Sequence, residues 1–248
     1  MATSIHPTKW AVAFSIDQSD PERALPLLLL LMMTVTGLVD AASYLKLGQV
    51  FVANMTGNIQ FAGFSFAGAR GLPFASALLA VALFLLGGVA AERLGRIMDE
   101  QRTAFLRAAA AIELVIVLAA MALTLLAGSL RSTATTSELI ACLALAMGFQ
   151  SAATKRLNVP GFNSTVVLTT MLTTMATESR LAGGSGADNG WRVLAVLSLL
   201  AGALVGGVLA LRVSLLAPLA LSALVLAITC IGAHCITRTF TRSGEVRP

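Results

Sequence analysis

Residues 50–68 read VFVANMTGNIQFAGFSFAG, and the way this stretch lies decides the fold. It is nearly long enough to cross a bilayer, which takes about 20 mostly apolar residues. Yet it carries Asn54, Thr56, Asn58, Gln60 and Ser65, and its glycines at 57, 63 and 68 loosen the backbone. Residues 163–178, NSTVVLTTMLTTMATE, are similar in kind. There Thr165, Thr169, Thr173 and Thr177 stand four apart, with Thr170 and Thr174 beside them, so the hydroxyls stack along one helix face. Neither stretch suits lipid on all sides.

Around these two stretches the chain is far more apolar. Of its 248 residues 57% are apolar and 12% charged, with a mean hydropathy of +0.85. Soluble domains average about 45–50% and about 25%. A chain this poor in polar residues cannot coat a folded surface in water, so it reads as an all-α integral membrane protein. Segments 25–45, 73–94, 107–128, 137–157, 191–212 and 215–236 are ordinary spans. Pro26, Pro73 and Pro218 fall in first helical turns, where a missing N–H costs nothing, and Pro160 falls in a connection. Residues 24–236 are thus expected to form one transmembrane domain. Residues 1–23 and 237–248 are expected to be cytoplasmic tails. The apolar run 10–16 is short and is followed by Asp17, Asp20 and Glu22, unlike a cleaved signal.

Loop charge tests whether the two polar stretches cross. If all eight segments cross, the N-terminal side collects Lys9, Arg23, Arg70, Arg131, Arg180, Arg192, Arg238, Arg242 and Arg247, nine of the 17 basic residues. That is no bias. If 50–68 and 163–178 dip in and return, that side loses Arg70 and Arg131 but gains Arg93, Arg96, Arg102, Arg107, Lys155 and Arg156, giving 13 of 17. Lys and Arg are held on the cytoplasmic side of membrane proteins. The expectation is therefore six full spans plus two half-embedded polar segments, with both termini cytoplasmic. The basic excess records topology and not nucleic-acid binding, since it does not cluster on a soluble segment.

The halves, about 24–128 and 137–236, resemble each other. Residues 37–43, GLVDAAS, align with 148–154, GFQSAAT; residues 86–93, LGGVAAER, align with 205–212, VGGVLALR. Three spans per half turn the second half over, giving an inverted repeat. Polar, interrupted segments in corresponding places of such repeats point to a transporter site near the bilayer midplane.

Asp40 is the sharpest residue, because a carboxylate in a span costs about 2.5–3.5 kcal/mol near the bilayer centre. Such residues face a bundle interior and commonly handle a proton, ion or ligand. Thr36, Ser43 and Tyr44 share its helix face, beside Gly37. The alternative is a carboxylate that ties helices together through Asn54, Asn58 or Tyr44. Asn54, Thr56 and Asn58 around Gly57 form a second candidate, where an unwound turn exposes backbone groups to a solute. Gln150, Ser151 and Thr154 stand at the matching place in the second half, Ser151 being the partner of Asp40. The pairs Gly87-Gly88 and Gly206-Gly207 read as close packing or hinges.

Cys142, Cys230 and Cys235 lie in apolar stretches and read as small buried side chains. Glu113 either snorkels or pairs across helices, and His234 with Cys230 makes too few ligands for a metal. No nucleophile, zinc-protease, phosphate-loop or dinucleotide motif is present, so no catalytic residue, metal or cofactor is assigned.

The run Gly37-Leu-Val-Asp-Ala-Ala-Ser-Tyr-Leu45 with Val50-Phe-Val-Ala-Asn-Met-Thr-Gly-Asn58 resembles the YoaK-like family of bacterial multi-pass membrane proteins, a family of unknown function numbered 1275. The resemblance covers roughly residues 24–236. It departs from the family where a second Thr-Gly is replaced by Thr173-Thr174. It implies a bacterial inner-membrane protein with about six spans and no established substrate.

These readings converge on a permease-like secondary transporter for a small polar solute. Asp40, Ser43, Tyr44, Asn54, Thr56, Asn58, Gln150, Ser151 and Thr154 would line its site, with Asp40 coupling a proton or cation. Gly37, Gly57, Gly87, Gly88, Gly206 and Gly207 would allow close approach. The lipid bilayer and an unidentified polar solute are the expected partners, and self-association into a homo-oligomer is compatible with the sequence. The alternative is a non-transporting structural or signalling membrane protein.

Overall fold

A computed structural model describes residues 24–98, 102–128, 132–159, 162, 168–184, 186 and 189–244, with side chains to 236. Within them the chain forms eight α-helices: α1 (Leu25–Lys46), α2 (Met55–Phe66), α3 (Phe74–Ile97), α4 (Arg102–Ala127), α5 (Thr133–Leu157), α6 (Leu168–Thr177), α7 (Asn189–Arg212) and α8 (Leu216–Gly244). A short 3-10 turn (Arg180–Ala182) follows α6. Six helices are long and apolar enough to cross a membrane: α1, α3, α4, α5, α7 and, in α8, Leu216–Ile236. At a rise of about 1.5 Å per residue, the 12 residues of α2 and the 10 of α6 are too short to do so. Helix α8 continues past the expected boundary at 236, so the backbone of the C-terminal tail begins as helix. The N-terminal tail, residues 1–23, lies outside the described residues.

Local signals set the helix ends. Pro26 opens α1 and Pro73 caps α3. Ser132 caps α5, its hydroxyl accepting the N–H of Thr135 at 3.1 Å, and Lys155 and Arg156 close that helix where its carbonyl end favours cations. Asn158 then ends it in the left-handed conformation, φ 46°.

Glycines set which helices meet. A Cβ on Gly37 would strike the backbone of α7 at Leu199 and Ala203, and one on Gly202 would strike Thr34 of α1. Likewise a Cβ on Gly148 of α5 would strike Phe84 of α3, and one on Gly87 would strike Leu145. Without a hydrophobic force between helices in lipid, such close backbone approach supplies the packing energy. So α1 pairs with α7 and α5 pairs with α3, each glycine motif crossing to the other half. Gly206 packs tightly too, 2.8 Å from Leu38 for an added Cβ, whereas Gly88 and Gly207 make ordinary contacts at 3.8 and 3.7 Å. Helices α4 and α8 pack on each other and complete the bundle. Leu85, Leu86, Leu125, Leu200 and Leu204 are exposed, as lipid-facing side chains should be.

The direction of each helix follows from its end contacts. The start of α1 lies against the end of α8, with a Cβ on Gly232 falling 2.9 Å from Leu28. Arg107 at the start of α4 bonds His234 at 2.9 Å, Arg102 donates to the Leu157 carbonyl at the end of α5, and Gly95 near the end of α3 sits against Arg156. One end of the bundle therefore gathers the start of α1 and α4 and the ends of α3, α5 and α8. Hence α1 and α5, which carry the matching glycine motifs, run in opposite directions. Likewise, α1 ends and α3 starts at the opposite face, so residues 47–73 enter and leave from one side. Segment 50–68 is re-entrant.

Candidate functional site

Lipid offers no partner to an unwound backbone, and each unsatisfied N–H or C=O there costs several kcal/mol. The dip at 50–54 survives because side chains of α1 and α2 answer its peptide groups one by one. Asp40 Oδ1 accepts the N–H of Val52 at 2.9 Å and of Ala53 at 2.8 Å. Ser43 Oγ donates to the Val50 carbonyl at 2.9 Å. Asn58, fully buried, grips both sides of Phe51: its Oδ1 accepts the N–H at 3.1 Å and its Nδ2 donates to the carbonyl at 2.6 Å. The Phe51 ring stacks between Tyr44 at 4.6 Å and Phe61 at 6.2 Å, while a Cβ on Gly57 would come within 3.0 Å of it. The chain is thereby pulled back to the level of Asp40, six residues, or about 9 Å, inside the end of α1.

There α2 begins beside a cavity of about 490 Å³. Thr36 and Asp40 of α1 form one wall; Asn54, Thr56, Gly57 and Gln60 form the next. Gln150, Ser151 and Thr154 of α5 face them, and Leu168 and Thr169 bring in the start of α6. Met33, Ala53, Met55, Phe84 and Leu199 complete the lining. The cavity is thus built by both halves, at the level where the two short helices start. Its size falls within the range of about 300–1,000 Å³ usual for small-molecule sites.

Gln150 spans the two halves. Its Nε2 donates to the Met32 carbonyl at 3.0 Å and to Thr36 Oγ1 at 2.8 Å. Its Oε1 has no partner among the described residues, although the residue is only 5% exposed. Thr154 satisfies itself on the Gln150 carbonyl at 2.9 Å.

Of the nine residues expected to bind a solute, six line the cavity: Asp40, Asn54, Thr56, Gln150, Ser151 and Thr154. Ser43, Tyr44 and Asn58 do not line it; they hold the turn instead. Thr36, Gln60 and Thr169 join the wall, and their polar side chains inside apolar segments were the available signal. The threonine ladder of α6 is mostly exposed, and two of its hydroxyls bond their own helix: Thr174 donates to the Thr170 carbonyl at 2.8 Å and Thr177 to the Thr173 carbonyl at 3.1 Å. Thr165 lies outside the described residues.

Glu113 sits apart from this site. It is wholly buried on α4, and neither carboxyl oxygen has a partner among the described residues. Next to it toward the bundle end, Arg107 joins His234, and Cys230 Sγ donates to the Arg107 carbonyl at 3.7 Å.

Comparison with known proteins now adds a family. The model of a family described as "Protein of unknown function (DUF1275)" matches residues 28–232. The chain belongs to this family. It is also similar to the UPF0700 transmembrane protein YoaK of Bacillus subtilis (strain 168), with 31% identity over 145 residues. That match covers 58% of this chain and 63% of the relative. No solved structure matches. The matched family region holds all the cavity residues, from Met33 to Leu199.

Proposed function

We propose that this multi-pass membrane protein is a secondary transporter for a small polar solute. One observation carries the reading: the polar cavity lies where both halves and both short helices meet. Discontinuous helices that start at the bilayer midplane are the usual way a carrier offers backbone and side-chain groups to a solute. The opposed directions of α1 and α5 favour relating the halves as an inverted repeat. Rocking one pair, α1 with α7, against the other, α3 with α5, would open the cavity to each side in turn. The bundle end that gathers Arg93, Arg96, Arg102, Arg107, Lys155 and Arg156 would face the cytoplasm of a bacterial cell and hold both termini there. Asp40, the one charged residue among the described residues that line the cavity, is the coupling group in this scheme. No chemical step is assigned to the protein.

The test is uptake by the full chain in proteoliposomes, screened with labelled polar solutes under an imposed proton gradient. Gradient-driven uptake that is lost in Asp40→Asn supports the reading. Uptake unchanged in that variant removes Asp40 from coupling. A second reading, a scaffold without transport, draws on the same hydrogen bonds of Asp40, Ser43 and Asn58 that hold the turn. Solute-independent stability together with co-purification of one fixed partner would favour it.

A further inference from the structure

The walls of the cavity say more about its occupant than that it is polar. Two helix starts face it, and their partial positive charge taken alone would favour an anion. However, the Asp40 carboxylate, bonded to the N–H groups of Val52 and Ala53 just ahead of α2, sets a negative charge beside that start. Among the described residues that line the cavity there is no Lys, Arg or His to hold an anion. Among the described residues one acceptor in the wall is unanswered: Gln150 Oε1, nearly inaccessible and held rigid by the two bonds of its own Nε2. A buried acceptor left unmade costs about 1–3 kcal/mol, so its place calls for a donor. Met33, Met55, Phe84, Leu168 and Leu199 add an apolar surface with one aromatic ring.

We infer that the cavity takes a small organic ammonium ion, its N–H groups shared between the Asp40 carboxylate and Gln150 Oε1 and its carbon body against the methionines and Phe84. This deepens the carrier proposal and rests on its reading of the cavity as a binding site.

The experiment uses the full chain in nanodiscs at fixed pH and ionic strength. Three probes of the same carbon number, n-butylammonium, n-butanol and butyrate, are titrated while the thermal unfolding midpoint is followed. Butylammonium should raise the midpoint with a dissociation constant about tenfold or more below those of the other two. Asp40→Asn keeps an acceptor for the turn but removes the charge, and should bring the preference over butanol below about threefold. If that variant does not fold, Thr169→Lys places a cation on the opposite wall and should have the same effect. Equal or tighter binding of butyrate or butanol overturns the inference, as does a preference that survives both variants. No shift with any probe overturns it together with the reading of the cavity as a site. Counterflow of labelled probe in proteoliposomes separates the two claims. Ammonium binding without counterflow leaves the inference standing and removes the carrier, whereas butyrate counterflow does the reverse.

Discussion

Asp40 and Glu113 are two carboxylic acids inside the same bundle, and their surroundings are opposite. Asp40 is half-buried, accepts two backbone N–H groups and borders a cavity. Glu113 is completely buried, borders no part of that cavity and has no partner among the described residues. The first is required by the backbone it serves. Without an acceptor at Asp40, the dip at 50–54 would leave N–H groups stranded below the membrane surface. The second stabilises nothing visible around it. A charged residue in a span is therefore informative only through what it is bonded to.

Replacing each residue sharpens this contrast, and the effects should rank in a fixed order. Asp40→Ala should be the most damaging: it strands the N–H groups of Val52 and Ala53, a loss of about 3 kcal/mol or more. In a detergent-solubilised thermal assay this would read as a collapse of the monodisperse fraction. Asn58→Ala removes both bonds to the Phe51 peptide and should cost about 2–3 kcal/mol by the same assay. Asp40→Asn keeps Oδ1 as acceptor and exchanges charge-assisted for neutral bonds, so a cost of about 1 kcal/mol is expected. Glu113→Leu should be neutral or raise the midpoint, because it removes an unanswered polar group from an apolar contact. A loss of 3 kcal/mol or more, the size expected when a buried partner is broken, would mean that Glu113 has a bonded role after all. Thr174→Val should be smallest, within about 0.5 kcal/mol, since that hydroxyl bonds only its own helix on an exposed face.

Much of this was legible in the sequence, for physical reasons. Six spans follow from apolar length, and Pro26 and Pro73 mark helix starts because proline is tolerated there. The re-entry of 50–68 was readable from charge, since only that topology gathers the basic residues on one side. The glycine motifs foretold close contacts, although not that Gly37 meets α7 and Gly148 meets α3. Which of the clustered polar residues meet the cavity was not legible, because that depends on where the helix begins. Helix α2 starts at Met55, so Asn54 borders the cavity while Asn58 turns to Phe51. Similarly, Ser43 and Tyr44 sit near Asp40 on α1, but the returning chain claims them first. The burial of Glu113 depends on which helix packs on α4, and no spacing within α4 encodes that.

The central claim is that segment 50–68 dips in and returns, bringing the start of α2 to Asp40 and the cavity. Single cysteines at Lys46, Arg70 and Lys155, in a chain with Cys142, Cys230 and Cys235 replaced by alanine, test it directly with a membrane-impermeant thiol reagent. Lys46→Cys and Arg70→Cys should label from the same face and Lys155→Cys from the other. Labelling of positions 46 and 70 from opposite faces would mean that the segment crosses, and both the topology and the shared cavity would fall with it.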